Sequence, residues 1–298
     1  VMLVRNEEHF VAWSLMNVLE FCDHVLVMDN QSTDRTRRIV EGIADRHENV
    51  ELTVVPDAND TQKFLKGWFG TRTWVLGLDG DEIHDPVGLS RLRGRLQSGA
   101  FDEYWAISGI YCHVAKLDFH QSRAFGYSSP PAKAGTKLFN FNAIENWMSR
   151  WRKHERLHGS KVFRSGYSGD SVYRFSASEN DEKWDTADLR CLHLCFMPRT
   201  PAETESALAH QTRKNPVETR LLRRMARKIE SIRPNRMDYR QKRYARGPVI
   251  PHDIHGFGKP DDFREFDDRC DHVMDILNGI QANTHIPRSR LHGVREVQ

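Results

Sequence analysis

Short apolar runs alternate with amphipathic stretches over the first 85 residues, and this alternation predicts strands and helices in turn. Four apolar runs of strand length lie at residues 1–5, 25–28, 50–55 and 74–78. Between them, apolar residues recur at helical spacing over about residues 6–21, 35–46 and 62–69. Strands that alternate with helices predict an α/β fold with a mostly parallel, Rossmann-like sheet flanked by helices. Ligands of such sheets bind beyond the carboxyl ends of the strands.

The pattern changes after residue 85. A helix is predicted to about residue 97, followed by strands at 103–113, 161–164 and 189–196. Helical patterns then dominate, over residues 201–232 and 263–280. We therefore expect one α/β domain over residues 1–200 and a helical and loop extension over residues 201–298.

Composition excludes several classes of protein. The chain has 298 residues, of which 39% are hydrophobic and 29% charged, and this balance excludes wholesale disorder and collagen. The mean hydropathy is −0.65, and no apolar run reaches the ~18 residues that a membrane-spanning helix needs. The net charge of +3 hides an uneven distribution. Acidic residues outnumber basic ones over residues 1–120, and the reverse holds over residues 199–246.

The basic stretch contains an amphipathic helix at residues 218–230, with apolar residues between its cations. Its cations are Arg220, Arg223, Arg224, Arg227 and Lys228. Such a helix can be a solvated face packed on the core, can lie on an anionic membrane or can hold a polyphosphate acceptor. Nucleic acid is not expected as a partner, because no recognised nucleic-acid motif accompanies the helix.

Five cysteines, an odd number in a long chain, argue against a disulfide framework and favour a reducing compartment. A cytoplasmic location is expected, with peripheral membrane contact through the basic helix as an addition to it. Cys191, His193 and Cys195 alternate and would share one face of a strand. A partial zinc site there would have poor tetrahedral geometry, so buried small side chains are the preferred interpretation.

Candidate chemistry concentrates at the ends of the predicted strands. Asp79-Gly80-Asp81-Glu82 directly follows the fourth strand, and carboxylates at this density suit Mg²⁺ or Mn²⁺. The alternative is an acidic turn that caps the next helix. Asp29 also directly follows a strand, and the turn at Asn6 does so too. All three would meet at the carboxyl edge of one sheet.

Three blocks together carry a resemblance to a known family. They are VRNEE at residues 4–8, MDNQSTDRT at 28–36 and WVLGLDGDE at 74–82. In order and spacing they resemble family 2 glycosyltransferases of the GT-A fold. The resemblance is close over residues 1–90 and fainter at residues 161–164 and 192–194.

The resemblance implies a nucleotide-sugar donor, bound with Mg²⁺ or Mn²⁺, and a glycan or other hydroxyl acceptor. Residues 1–200 would hold donor and chemistry, and residues 201–298 would shape the acceptor side. The implied donor-binding residues are Arg5, Glu7, Asp29 and Asp79, with Asp29 at the nucleobase. The implied metal ligands are Asp79, Asp81 and His193. For His193, a hydrogen-bonded core histidine is the alternative.

The family resembled here inverts the anomeric configuration, which requires a carboxylate base for the acceptor hydroxyl. Related proteins often carry a His-Glu pair where this chain reads Tyr173-Arg174. The candidate bases are therefore Asp170, then Glu179 and Asp181, each with a solvated surface acid as the alternative.

The expected function is metal-dependent sugar transfer in polysaccharide or glycoconjugate synthesis. One alternative is a nucleotide-sugar-binding protein without turnover, which the missing His-Glu pair would favour. The other is a nucleotidyltransferase on the same fold. The latter is disfavoured, because the turn at residues 5–8 is not the Gly-rich phosphate loop of such enzymes.

Overall fold

A computed structural model describes residues 1–56, 61–133, 135–148, 160–175, 184–197 and 243–266. The helices in these residues are α1 (Val11–Met16), α2 (Thr36–Ala44), α3 (Thr61–Leu65) and α4 (Pro86–Gln97). The strands up to the middle of the chain are β1 (Met2–Val4), β2 (Val25–Asp29), β3 (Val50–Val54), β4 (Trp74–Leu76), β5 (Leu78–Asp79), β6 (Glu82–His84), β7 (Ala106–Ser108) and β8 (Ile110–Asp118). The later strands are β9 (Arg123–Ser129), β10 (Thr136–Asn140), β11 (Ile144–Met148), β12 (Ser160–Phe163), β13 (Val172–Arg174), β14 (Arg190–His193) and β15 (Val249–Asp253).

The first sheet has the order β3-β2-β1-β5 and is parallel throughout. Its strands are short apolar runs, and α1 and α2 bury their apolar faces in the core beside it. Strand order reverses at β1, because β2 and β3 lie on one side of it and β5 lies on the other. This reversal creates a crevice at the carboxyl ends of β1 and β5, where ligands of open α/β sheets bind.

The expectation of a mostly parallel sheet holds for this first sheet and fails beyond it. A second sheet, β13-β7-β10-β4, and a third, β15-β9-β8-β14-β6, contain mainly antiparallel pairs. The single strand predicted over residues 103–113 is divided between these two sheets as β7 and β8. The cause is long-range pairing, which residue patterns along one segment do not encode.

A fourth sheet among the described residues is the β11-β12 pair, and the other three sheets meet in one short segment. The chain leaves β4 in the second sheet, crosses Gly77, adds β5 to the first sheet and then adds β6 to the third. Residues 79–82 lie within this crossing. Contacts from all three sheets therefore surround the acidic tetrapeptide.

The predicted helical extension over residues 201–298 lies mostly outside the described residues. Its described part, residues 243–266, forms β15 and two 3-10 turns, at His255–Phe257 and Pro260–Phe263. Strand β15 pairs with β9, and Ile254 and Phe257 are buried in the same core cluster as Trp13. Residues 249–257 therefore pack into the same core as the first 200 residues.

Candidate functional site

The backbone of the acidic tetrapeptide is held by a serine from α1. Ser14 is fully buried, and its Oγ lies 2.8 Å from the Glu82 carbonyl oxygen and 3.1 Å from the Asp79 carbonyl oxygen. On the third sheet, the Leu194 N–H donates to the Asp81 carbonyl at 2.8 Å. The turn is fixed from two sides, so its side chains are presented in a defined arrangement.

Gly80 brings the turn after β1 into contact with the tetrapeptide. A Cβ built on Gly80 would lie 2.8 Å from Cγ of Glu7, 2.9 Å from Cβ of Glu7 and 3.2 Å from Cγ1 of Val4. Only glycine allows this approach without a shift of the neighbours. Glu7 and the Asp79–Asp81 turn are thereby brought together, at the sheet edge where the strand pattern predicted that the turn at Asn6 and the tetrapeptide would meet.

Asp79 forms an ion pair with a cation of the second sheet. Nζ of Lys137 on β10 lies 2.7 Å from Oδ2 of Asp79 and 3.2 Å from Oε1 of Glu82. Glu82 also accepts the Asp79 N–H at 3.2 Å. Burial raises the pKa of Glu82 to about 7, against the opposing effect of Lys137. Lys137 therefore compensates part of the negative charge that three neighbouring carboxylates create.

Asp81 faces a buried pair of histidines on the third sheet. Its Oδ2 lies 3.7 Å from Nε2 of His193, which ends β14. Nδ1 of His193 lies 2.8 Å from Nδ1 of His113 on β8, and Nε2 of His113 lies 3.0 Å from the Lys133 carbonyl oxygen. Burial, and then the neighbouring His193, lower the pKa of His113 well below its usual value, which favours the neutral form of its ring.

Asp29 and Arg5 lie at the same carboxyl edge. Asp29 pairs with Val4 at the ends of β2 and β1, and Leu3 pairs with Asp79. The Asp29 carboxylate is buried and accepts the Ser32 N–H at 3.1 Å. Arg5 donates from Nη1 to the Asn30 carbonyl at 2.7 Å. The structure thus places Arg5, Glu7, Asp29, Asp79 and Asp81 along one edge of the first sheet.

A second group of metal-binding residue types lies behind Asp81. Ligand atoms of His113, His193 and Cys195 lie within 4.8 Å of one another, and all three residues are buried. Cys191 pairs instead with His84 at the other end of β14. The histidine that joins this group comes from β8, so the alternation of residues 191–195 on one strand does not reveal it.

A family model agrees with the resemblance carried by the sequence blocks. The model of Glycosyl transferase family 2 matches residues 1–179. The chain belongs to this family. A search of the curated proteins finds no match.

The residues of this family 2 glycosyltransferase that match the family model include the acidic tetrapeptide, His113 and Lys137. His193 lies beyond them, on a strand that the third sheet adds beside β6 and β8. Membership of the family implies a nucleotide-sugar donor and an acceptor for the sugar.

The structure does not bring Asp170 to the acidic tetrapeptide. Val172, two residues further on, is level with Val75 in β4 through the pairings of β7 and β10. Strands β13 and β4 run in the same direction, so Asp170 lies beyond the start of β4, whereas Asp79 and Asp81 follow its end. The carboxylate of Asp170 is exposed there, in a turn next to Trp105.

The other candidate bases, Glu179 and Asp181, lie outside the described residues. So does the basic helix predicted at residues 218–230. In the part of the chain that the structure describes, no helix is both long and apolar enough to cross a membrane.

Sequence reasoning missed Ser14, His113 and Lys137. Each reaches the site through contacts with residues more than fifty positions away. Lys137 and His113 lie in strands of the second and third sheets. Local sequence patterns do not predict how these strands pair. For His113 and Lys137, the one usable sequence signal is a polar residue adjacent to apolar residues in a strand, since a buried polar group requires a hydrogen-bond partner.

Proposed function

We propose that this chain is an inverting, metal-dependent glycosyltransferase that moves a sugar from a nucleotide-sugar to an acceptor hydroxyl. Polysaccharide or glycoconjugate synthesis is the proposed setting. The observation that carries the proposal is the position of Asp79–Asp81, at the crevice between β1 and β5, with Asp81 facing Nε2 of His193 at 3.7 Å. Family membership supports the sugar-transfer chemistry, and the geometry supports the place of the donor.

The residues present fit a divalent cation at Asp81. A carboxylate oxygen and an imidazole nitrogen converge there from two sheets, and this mixed set favours Mn²⁺ over Mg²⁺. Asp79 differs, since its Oδ2 is paired with Lys137 at 2.7 Å. We therefore assign Asp81 and His193 as metal ligands and Asp79 to the donor. When bound, the cation offsets the negative charge that develops on the leaving diphosphate.

The rest of the carboxyl edge would hold the nucleoside part of the donor. The buried carboxylate of Asp29 is an acceptor for a base N–H or a ribose hydroxyl. Arg5 contributes a cation beside it, and the Glu7 side chain lies over Gly80 between this end and Asp81. These groups would orient the donor so that the sugar projects past Asp81.

We propose that either Glu179 or Asp181 is the general base. Strand β13 runs parallel to β7, and its last pair, Arg174 with Ser108, lies on the side of the second sheet that carries Lys137. The chain leaves β13 on this side, at Phe175, whose N–H donates to the Ser108 carbonyl. Asp170 precedes the strand and lies at its other end.

Donor binding can be tested by thermal unfolding with nucleoside diphosphates and nucleotide-sugars, with and without Mn²⁺. A ligand at 100 times its Kd stabilises the native state by about 2.7 kcal/mol, which raises the Tm by several degrees. We expect a rise that requires both nucleotide and Mn²⁺. The Asp81→Asn variant should lose the Mn²⁺-dependent part, because it keeps the shape of the side chain and removes its charge.

Asp170→Asn is the matched control, since it removes an exposed carboxylate at the other end of the sheet. We expect it to keep the full rise in Tm. An Asp81→Asn protein with an unchanged Mn²⁺-dependent rise would refute the metal assignment. Donor binding by the wild-type protein without transfer or hydrolysis would identify a nucleotide-sugar-binding protein without turnover.

A further inference from the structure

We propose that His113 is a positioning residue that fixes the tautomer of His193 and so presents the Nε2 lone pair of His193 toward Asp81. This inference deepens the proposed function and rests on it, since there His193 is a metal ligand. It assigns a role to a residue that does not itself reach Asp81. The argument follows one chain of hydrogen bonds, from a backbone carbonyl through two imidazole rings.

The chain begins at a group with only one hydrogen-bonding role. The Lys133 carbonyl oxygen lies 3.0 Å from Nε2 of His113 and can only accept. Nε2 of His113 must therefore carry the proton. In a neutral imidazole, the other ring nitrogen is then an acceptor. Nδ1 of His113 thus offers a lone pair to whatever lies in front of it.

His193 lies directly in front of that lone pair. The two residues are paired in the register of β8 and β14, and their Nδ1 atoms are 2.8 Å apart. Since Nδ1 of His113 accepts, Nδ1 of His193 must donate and carry the proton. In the neutral form of His193, which metal ligation requires, Nε2 is then the unprotonated nitrogen, and it faces Oδ2 of Asp81 at 3.7 Å. Two lone pairs converge there, as metal ligands require.

The surroundings make this arrangement durable. His113 is 1% exposed and His193 is 9% exposed, so water has little access to compete for the ring nitrogens. The ring of Tyr244 packs against both imidazoles, tilted at 4.5 Å from His113 and edge-on at 4.9 Å from His193 between ring centroids. Rotation of either ring would break a buried hydrogen bond, which is costly.

The same residues allow one competing arrangement. A zinc ion held by Cys195 and by the Nδ1 atoms of His113 and His193 would displace the proton between the two rings. The hydrogen-bond chain and the zinc site therefore exclude each other, and the state of Nδ1 in His193 distinguishes them.

The direct test is ¹⁵N NMR of the histidine rings in metal-free wild-type protein, with the His193 signals assigned by comparison with His193→Gln. We expect Nδ1 of His193 to be protonated and Nε2 of His193 to be unprotonated. This measurement requires no variant of His113. A proton on Nε2 of neutral His193 would overturn the proposal, and so would tight zinc binding that removes the proton from Nδ1.

Two variants of His113 test the consequence for metal binding, with Mn²⁺ affinity measured by calorimetry without substrate. His113→Phe keeps a ring but cannot accept from His193, and we expect it to weaken Mn²⁺ binding by ~10–100-fold. His113→Asn leaves more empty volume, but its amide oxygen can replace Nδ1 as the acceptor. We expect His113→Asn to retain most of the affinity while losing more thermal stability than His113→Phe.

The opposite order of the two variants separates positioning from packing. If packing alone mattered, Mn²⁺ affinity would follow thermal stability and His113→Asn would bind more weakly than His113→Phe, which would overturn the proposal. Wild-type Mn²⁺ binding equal to that of His113→Phe would overturn it as well. Failure of the wild-type protein to bind Mn²⁺ at all would instead refute the proposed function, while the NMR result still reports on the hydrogen-bond chain.

Discussion

At the scale of single residues, the site depends on one close approach between two turns. The Glu7 side chain crosses Gly80 at a distance that leaves no room for a Cβ. This contact joins the turn after β1 to the turn after β5, which are the two sides of the proposed donor crevice. Gly80, which has no reactive side chain, therefore controls the spacing between Glu7 and the carboxylates of the tetrapeptide.

Gly80→Ala should lower the free energy of unfolding by ~1–3 kcal/mol, the usual cost of overpacking a rigid contact. The new Cβ would meet both Cβ and Cγ of Glu7, so a side-chain rotation alone does not relieve the clash. Urea unfolding measures the change in stability. We expect Mn²⁺-dependent donor binding to weaken in parallel, because Glu7 or the tetrapeptide must move.

Gly94→Ala is the matched control for this substitution. Gly94 lies in α4, and a Cβ there would have no atom of another segment within 4 Å. Alanine in a helix is favoured over glycine by ~0.5–1 kcal/mol, so this variant should be unchanged or more stable. Equal losses in the two variants would mean that the contact between Gly80 and Glu7 carries no special cost.

At the scale of elements, the sequence predicts what local patterns encode. The strands β1, β2, β3 and β4 and helix α2 were predicted because apolar runs and helical periodicity are properties of short segments. The edge that gathers Asp29 and Asp79 follows from parallel strands joined by helices. The partners Lys137 and His113 could not be predicted, because they depend on which strands pair across the second and third sheets.

Strand β15 shows how an element far along the chain joins the core through a buried polar side chain. His252 is 6% exposed, with its ring centroid 4.5 Å from that of Trp184. Burial lowers the pKa of His252 to about 4, while Asp185 opposes the shift and Arg190 adds to it. The folded state thus holds this ring neutral at pH values where an unfolded chain would protonate it.

Acid should therefore destabilise the fold through His252. Because the pKa is lower in the folded state than the ~6.5 of an unfolded chain, the unfolded state binds more protons between pH 6.5 and pH 4. Stability should fall by about 2 kcal/mol from pH 7 to pH 5 through this group. Urea unfolding at several pH values should show a smaller fall for His252→Gln.

The control for this pH dependence is His120→Gln, at an exposed position in the turn between β8 and β9. This variant removes an exposed histidine and keeps the buried His252, so the wild-type dependence of stability on pH should remain. A His252→Gln protein with the wild-type slope between pH 7 and pH 5 would contradict the assignment to His252.

At the scale of the whole molecule, residues 249–257 complete the core that the described part of the first 200 residues begins. The indole N–H of Trp13 donates to the Phe257 carbonyl at 2.7 Å, and the side-chain amide of Asn17 donates to the same oxygen at 2.8 Å. Trp184 donates to the Asp253 carbonyl at 2.7 Å. Three polar groups of the domain that carries the site thus depend on a segment near the other end of the chain.

A chain that ends at residue 242 should fail to unfold cooperatively. It loses Phe257 and Ile254, each worth ~1.5–3 kcal/mol of buried side chain, and removes the acceptor of one N–H each of Trp13, Asn17 and Trp184 at ~1–3 kcal/mol each. Together these losses are comparable with the ~5–15 kcal/mol stability of a typical domain. Near-ultraviolet circular dichroism and urea unfolding report the result.

A chain that ends at residue 266 keeps every one of these contacts and should unfold cooperatively. A chain of residues 1–242 with the same urea midpoint as the 1–266 chain would show that residues 249–257 only decorate the core, contrary to the hydrogen bonds that Trp13, Asn17 and Trp184 donate to them.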